Sequence, residues 1–176
     1  MALTRLGLNQ SINLTSNVTG TLPIANGGTN LSSGFINGTT AVGKILQVQN
    51  QRLTTEFNTN NSSFQDTGVT KSITPSSASS KVLVIYGSGM NYTSSGTEMA
   101  MNCMRDSTQL NSVIVNLDGN ASTGGSAFMI LDEPNTTSSV TYKVQIRKSN
   151  GSGNVYVSVN NSLSTFTLME IGAWAN

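Results

Sequence analysis

The sequence predicts an all-β chain: an extended N-terminal arm followed by a jelly-roll-like β-sandwich. Two patterns predict it. Leu6, Leu8, Gln10, Ile12, Leu14, Ser16, Val18, Gly20, Leu22 and Ile24 fill the even positions of a stretch whose odd positions are mostly polar. That is the two-residue period of a strand with one apolar face. From Asp66 onward, about eight short runs separated by turn clusters follow one another with no helical period, as in a two-layer sandwich. The chain of 176 residues divides accordingly into an arm (1–30), a connector (31–65) and a C-terminal body (66–176).

The arm is longer than the roughly 3–10 residues of ordinary strands. A ribbon with one apolar face must be completed by another surface. Leu6, Leu8, Ile12, Leu14, Val18, Leu22 and Ile24 are therefore the candidate assembly residues, completed by equivalent arms of identical chains or by a larger particle. The competing reading is a disordered leader whose alternation is accidental. Pro23 and the pair Gly27-Gly28 end the ribbon. Gly34, Asn37-Gly38 and Gly43 punctuate the connector, in which Lys44 to Gln49 alternates weakly as one short strand and Asn58 to Ser63 reads as a flexible joint.

In the body the expected strands are Val69 to Thr74, Lys81 to Ser88, Glu98 to Arg105, Gln109 to Leu117, Ser126 to Leu131, Val140 to Lys148, Asn154 to Asn160 and Ser164 to Ile171. Val140, Tyr142, Val144 and Ile146 alternate against Thr141, Lys143, Gln145 and Arg147; Val155, Val157 and Val159 alternate against Tyr156 and Ser158. The loop Ser149 to Gly153 between these two runs predicts a hairpin. Val82 to Tyr86 and Phe166 to Ile171 are apolar on both faces, which predicts either a central place under another layer or a subunit interface.

Composition excludes several chemistries. Charged residues make up 10% of the chain and its net charge is +1, so steering toward nucleic acid or an anionic membrane is not expected. The longest apolar run, Val82 to Tyr86, is too short to cross a bilayer, and the start MALTRLGLNQ lacks the apolar core of an export signal. There is no histidine, so a Ser-His-Asp arrangement cannot form, and no cofactor motif is present. Asp118 and the pair Asp132-Glu133 sit in oxygen-rich turns that could take calcium but lack EF-hand spacing; capped, solvated loops are the simpler reading. Met99, Met101, Cys103 and Met104 with Met129 and Met169 form a sulfur-rich set; Met99, Met101 and Cys103 share one strand face, so core filling is the default and an adaptable binding surface the alternative. Glu170 interrupts an apolar strand; it either faces water or, if buried, needs a partner such as Arg105 or Arg147. Tyr92, Tyr156 and Trp174 are the aromatics able to stack on sugar rings, and so the candidate receptor contacts.

The phrase NLTSNVTGTLPIANGGTN (residues 13–30) is similar to a recurring segment of bacteriophage tail-fibre and related virion appendage proteins, in which forms of VTGTLPVANGGTG precede a C-terminal head. Asn30 replaces the usual final Gly. GKILQVQNQ at 43–51, DTGVTKSITPSSASSKVLVIYGSG at 66–89, DEPNTTSSVTYKVQIR at 132–147 and STFTLMEIGA at 164–173 extend the resemblance. It implies a homotrimeric, non-enzymatic virion subunit, bound to other virion proteins through the arm and contacting a host-surface glycan or protein with its knob. A capsid decoration or head-fibre protein fits the same residues. A glycan depolymerase is the enzymatic rival, but the expected nucleophiles lack activators.

Overall fold

The computed structural model describes residues 44–172 except 90, 95 and 116–121; at 92, 112–115 and 122–123 it describes the backbone alone. All of these residues belong to one compact unit, residues 43–174. The arm and Trp174 lie outside the described residues, as does Asp118.

Twelve strands are described: β1 (Ile45–Leu53), β2 (Phe57–Thr59), β3 (Gln65–Ile73), β4 (Lys81–Gly87), β5 (Asn91–Thr93), β6 (Glu98–Arg105), β7 (Thr108–Val115), β8 (Ser122–Gly124), β9 (Ala127–Asp132), β10 (Val140–Asn150), β11 (Val155–Val157) and β12 (Ser164–Ile171). They form three four-stranded sheets, ordered β1-β12-β4-β9, β3-β10-β6-β7 and β2-β11-β5-β8, and every neighbouring pair is antiparallel. The first and third orders correspond member by member. β1 runs on into β2, β4 into β5, β8 into β9 and β11 into β12, so the third sheet continues the first beyond a break. Joining these four pairs leaves eight composite strands, ordered 1-8-3-6 in one layer and 2-7-4-5 in the other. That is the double Greek key of a jelly roll.

The break is held by side chains. Ser88 and Asn91 bond one another, Asn91 bonds Ser126, and the buried Ser158 and Ser164 hydroxyls meet at 2.7 Å. Residues 158, 160 and 161 take left-handed backbone angles around a single 3-10 turn, Val159–Asn161, so the run expected to extend to Asn160 stops at Val157.

The core lies between the layers. Val140, Tyr142, Val144 and Ile146 are buried, as their alternation predicts, against Val82, Val84, Tyr86, Phe166 and Leu168 of the facing layer. Met99, Met101 and Cys103 fill it from β6. β10 and β11 do not form the expected hairpin: β10 pairs with β3 and β6, whereas β11 pairs with β2 and β5. Gly151, at φ +80°, explains the crossing. It presses against the backbone of Gly96 and Thr97, and the Gly153 N–H donates to Thr97 Oγ1 at 3.0 Å, so the loop docks on its neighbour and hands the chain to the other layer. The region expected to be a thin connector contributes β1, β2 and the start of β3. Within the stretch expected to be a joint, Asn61 Oδ1 accepts the Ser63 N–H at 2.8 Å and the Asn61 carbonyl accepts the Lys148 N–H at 2.9 Å.

Candidate functional site

The outer face of the β1-β12-β4-β9 sheet is apolar. Register aligns Val48, Met169, Leu83 and Leu131 in one row across all four strands and Asn50, Thr167, Ile85 and Met129 in the next, with Ile45 beside Ile171 toward the end at which β1 begins. Ile45, Leu46, Val48, Met129 and Leu131 are exposed, Met129 by 68%. At strand spacings of roughly 4.8 Å, and about 3.3 Å per residue along each strand, the patch covers on the order of 300 Å². That is the size of the largest apolar patch on an ordinary monomer, a patch that is often functional. Charge lies only at its ends: Arg52 at one, and at the other Lys44 and Lys81, the latter paired with Glu133 at 2.6 Å.

β1 turns different chemistry inward. Its inner positions Gln47, Gln49 and Gln51 face the unpaired edge of β3, where amides serve better than methyl groups. Gln51 donates to the Gly68 carbonyl at 3.1 Å and accepts the Thr70 N–H at 2.7 Å, and Gln47 donates to the Thr74 carbonyl at 2.7 Å. Between these clasps lies an open polar groove of about 440 Å³ with Lys71, Ser72 and Ser139 on its walls. Beneath one end of it sits Glu170, fully buried. Its Oε1 accepts the Ser76 N–H at 2.7 Å and the Ser76 hydroxyl at 2.6 Å, and its Oε2 accepts Gln47 Nε2 at 2.6 Å. Burial pushes the carboxyl upward, but the donors of Ser76 and Gln47 outweigh it; the Ser80 hydroxyl adds to the pull without a well-formed bond of its own, and the group is held down at about 2. Neutral donors thus supply what the sequence suggested an arginine would.

Arg105 is committed elsewhere. Its Nη1 donates to both Asp132 oxygens, at 2.9 and 2.7 Å, and Tyr142 Oη donates to Oδ2 at 2.6 Å. Asp132 ends β9 and is buried, so it is not part of the solvated turn the sequence suggested; its oxygens lock one layer to the other. No group of three or more metal-ligating side chains occurs among the described residues. The buried Cys103 thiol is pushed up to about 12, by burial first and then by Asp132.

Of the candidate receptor contacts, β11 and β5 bring Tyr156 and Tyr92 directly opposite one another. Tyr156 is half-buried between the inward Val155 and Val157. Both lie in the small sheet, beyond the break. Sequence reasoning named Met129 and Met169 only within the sulfur-rich set and did not single out Val48 or Leu131; the two-faced apolar runs of β4 and β12 were the signal that could have found them.

No protein-family model matches this chain, and neither does any curated protein. Among solved structures it is similar to that of the infectious bursal disease virus Gx strain, with 17% identity and a TM-score of 0.35 over 74% of this chain and 37% of that one. It is also similar to a mutant VP2 protein of the same virus in T=1 particles, with 14% identity and a TM-score of 0.34 over 74% and 38%, and to a VP2 subviral particle, with 13% identity and a TM-score of 0.30 over 72% and 40%. The chain therefore spans well under half the length of these chains, and at this level the likeness stops at the all-β architecture.

Proposed function

We propose that the chain is a non-enzymatic structural subunit of a phage particle. In this reading it is a trimeric tail-fibre subunit, made in the host cytoplasm and carried in the virion, held by its N-terminal arm and meeting the host surface with its jelly roll. One observation carries the reading. Lys44 and Gly172 begin and end the described part of the body, and the Gly172 N–H donates to the Lys44 carbonyl at 2.8 Å, so these two points of the chain share one corner. The Tyr92–Tyr156 pair stands in the small sheet, past the opposite ends of β1, β4 and β12. A body tethered at one end and aromatic at the other suits a terminal knob, and the TGTLPIANGGTN and TLMEIGA phrases point the same way. The chain has no histidine to activate a nucleophile, while Asp66, Asp132, Glu133 and Glu170 are each bonded to neighbouring groups. Neither nucleic acid nor membrane insertion has a place in this role.

Light scattering on the full chain should give about three times its 18.5 kDa. Deleting residues 1–30 should weaken attachment to the particle while the body still folds. Labelling intact virions then locates the protein: signal at the tail supports the fibre, signal over the head supports a capsid decoration or head-fibre protein, and signal at neither refutes both. Release of reducing sugars from host envelope would overturn the non-enzymatic reading.

A further inference from the structure

We infer that the apolar outer face of the β1-β12-β4-β9 sheet is the surface through which copies of this chain pack against one another. The inference rests on the proposed function only for the premise that the chain self-assembles; which surface does so follows from the body itself.

Two features point to a second copy as the occupant, and a third sets what else the contact needs. The first is where the rest of the chain begins. Residues 1–43 join the body at Lys44, and the next residue, Ile45, is already part of the exposed apolar face. Copies held together through residues 1–43 would have their bodies gathered at this corner, beside which the equivalent apolar faces lie. The second is charge. A face meeting its own copy must not repel itself, and the two central rows, Val48-Met169-Leu83-Leu131 and Asn50-Thr167-Ile85-Met129, carry no charge at all. At the tether end Lys81 and Glu133 neutralise one another at 2.6 Å, and the exposed Lys44 lies at the corner, outside these two rows. A charged partner would find nothing to recognise here, whereas an identical face finds methyl, thioether and branched aliphatic groups to interdigitate with.

The third is area. On the order of 300 Å² per copy falls short of the roughly 800 Å² per partner of a stable complex. The face is too small to hold copies together alone and needs a second contact continuous with it. The alternating apolar positions between Leu6 and Ile24, in the sequence that leads to this corner, are the candidates for it. The outer side of this layer is then divided: the tether half is covered by neighbouring copies, and the small sheet with Tyr92 and Tyr156 is left open.

The test uses the full chain. Met129→Glu and Val48→Glu place a charge at positions exposed in the single body, so each variant should keep a cooperative melt while its mass falls to that of one chain. Thr108→Glu, on an exposed position of the other layer, should leave the mass unchanged. In parallel, Met129→Cys and Thr108→Cys are treated with a maleimide, the native Cys103 being fully buried. The thiol introduced at 129 should react at least tenfold more slowly than that at 108. If the chain is oligomeric but the thiol at 129 reacts as fast as the control, the face is open and the inference falls while self-assembly stands. If the wild-type chain is a single copy with an open face, both fall. A single copy whose thiol at 129 is protected would mean that its own arm covers the face, which also overturns the inference.

Discussion

Replacing Glu170 with Gln tests whether the buried carboxylate stabilises the body as an ion. In the native chain three donors converge on it: the Ser76 N–H and hydroxyl on Oε1 and Gln47 Nε2 on Oε2, at 2.6–2.7 Å. An amide can present only one oxygen, so its NH2 must confront a donor. Gln47 cannot turn its own oxygen toward that NH2 without giving up its bond to the Thr74 carbonyl. One buried donor pair is left unmatched, at a cost of about 1–3 kcal/mol. The pH dependence fixes the sign. The carboxyl is held at about 2 against an ordinary 4.5. Its folded value is the lower one, so the contribution is complete above pH 4.5 and fades as pH falls toward 2. At about 1.4 kcal/mol per unit the ceiling is about 3 kcal/mol, reduced by water in the adjacent groove. Urea unfolding at fixed protein concentration should therefore show wild type more stable than Glu170→Gln by about 1–3 kcal/mol at pH 7, with less than half of that gap left at pH 3. A gap that stays constant from pH 7 to pH 3 would refute the argument, because it would then come from shape and packing with no part played by the charge.

Two other substitutions probe the contacts that join the layers. Arg105→Met leaves Asp132 buried with Tyr142 as its remaining donor and should destabilise by about 3–5 kcal/mol, whereas Tyr142→Phe, which keeps the arginine, should cost about 1.5–3 kcal/mol; denaturant midpoints order the two. Gly151→Ala combines a φ of +80° with a Cβ driven into the Gly96 carbonyl and placed 2.7 Å from Thr97 Cα. It should cost at least about 2 kcal/mol and, in hydrogen exchange, release the amides of β5 and β11 before those of β10.

Much of the body was legible because its long strands carry their own pattern. Glu98–Arg105 and Ser164–Ile171 have the bounds expected of them between turn clusters, and the inward set of β10 is the buried set. β2, β5 and β8 were not legible. FNT, NYT and STG are three residues each and hold little apolar surface; β2 and β5 are strands because Val155–Val157 pairs them from far along the chain, and β8 because β5 pairs it. A local window cannot see such a partner. The hairpin expected between β10 and β11 failed for the same reason, since a Gly-rich loop looks alike whether it reverses the chain or docks on Gly96. Asp132 looked solvated because Pro134 and Asn135 follow it, and its arginine lies 27 positions away. The glutamines of β1 suggested only weak alternation, since their inward side meets a backbone edge and not the core. At the candidate site, register brought Tyr92 and Tyr156 together, which no spacing of 64 positions could have announced.

The break across the β1-β12-β4-β9 layer gives the fold a way to put two surfaces on one side of one sheet. In an unbroken strand the backbone ladder carries the same pleat from end to end, and the outward residues of each half face the same solvent or the same partner. Here the ladder is interrupted between β12 and β11, between β4 and β5 and between β9 and β8, and Ser88, Asn91, Ser126, Ser158 and Ser164 take over the hydrogen bonding at the gap. Each half is then free to set its own outward chemistry: Val48, Leu83, Met129, Leu131 and Met169 on the tether side, Asn58 and Tyr156 beyond the gap. The interior does not change with it. Val82, Val84, Phe166 and Leu168 on one side of the gap and Val155 and Val157 on the other are buried in the same core, so the change of surface is made without dividing the hydrophobic centre that holds both halves in one body.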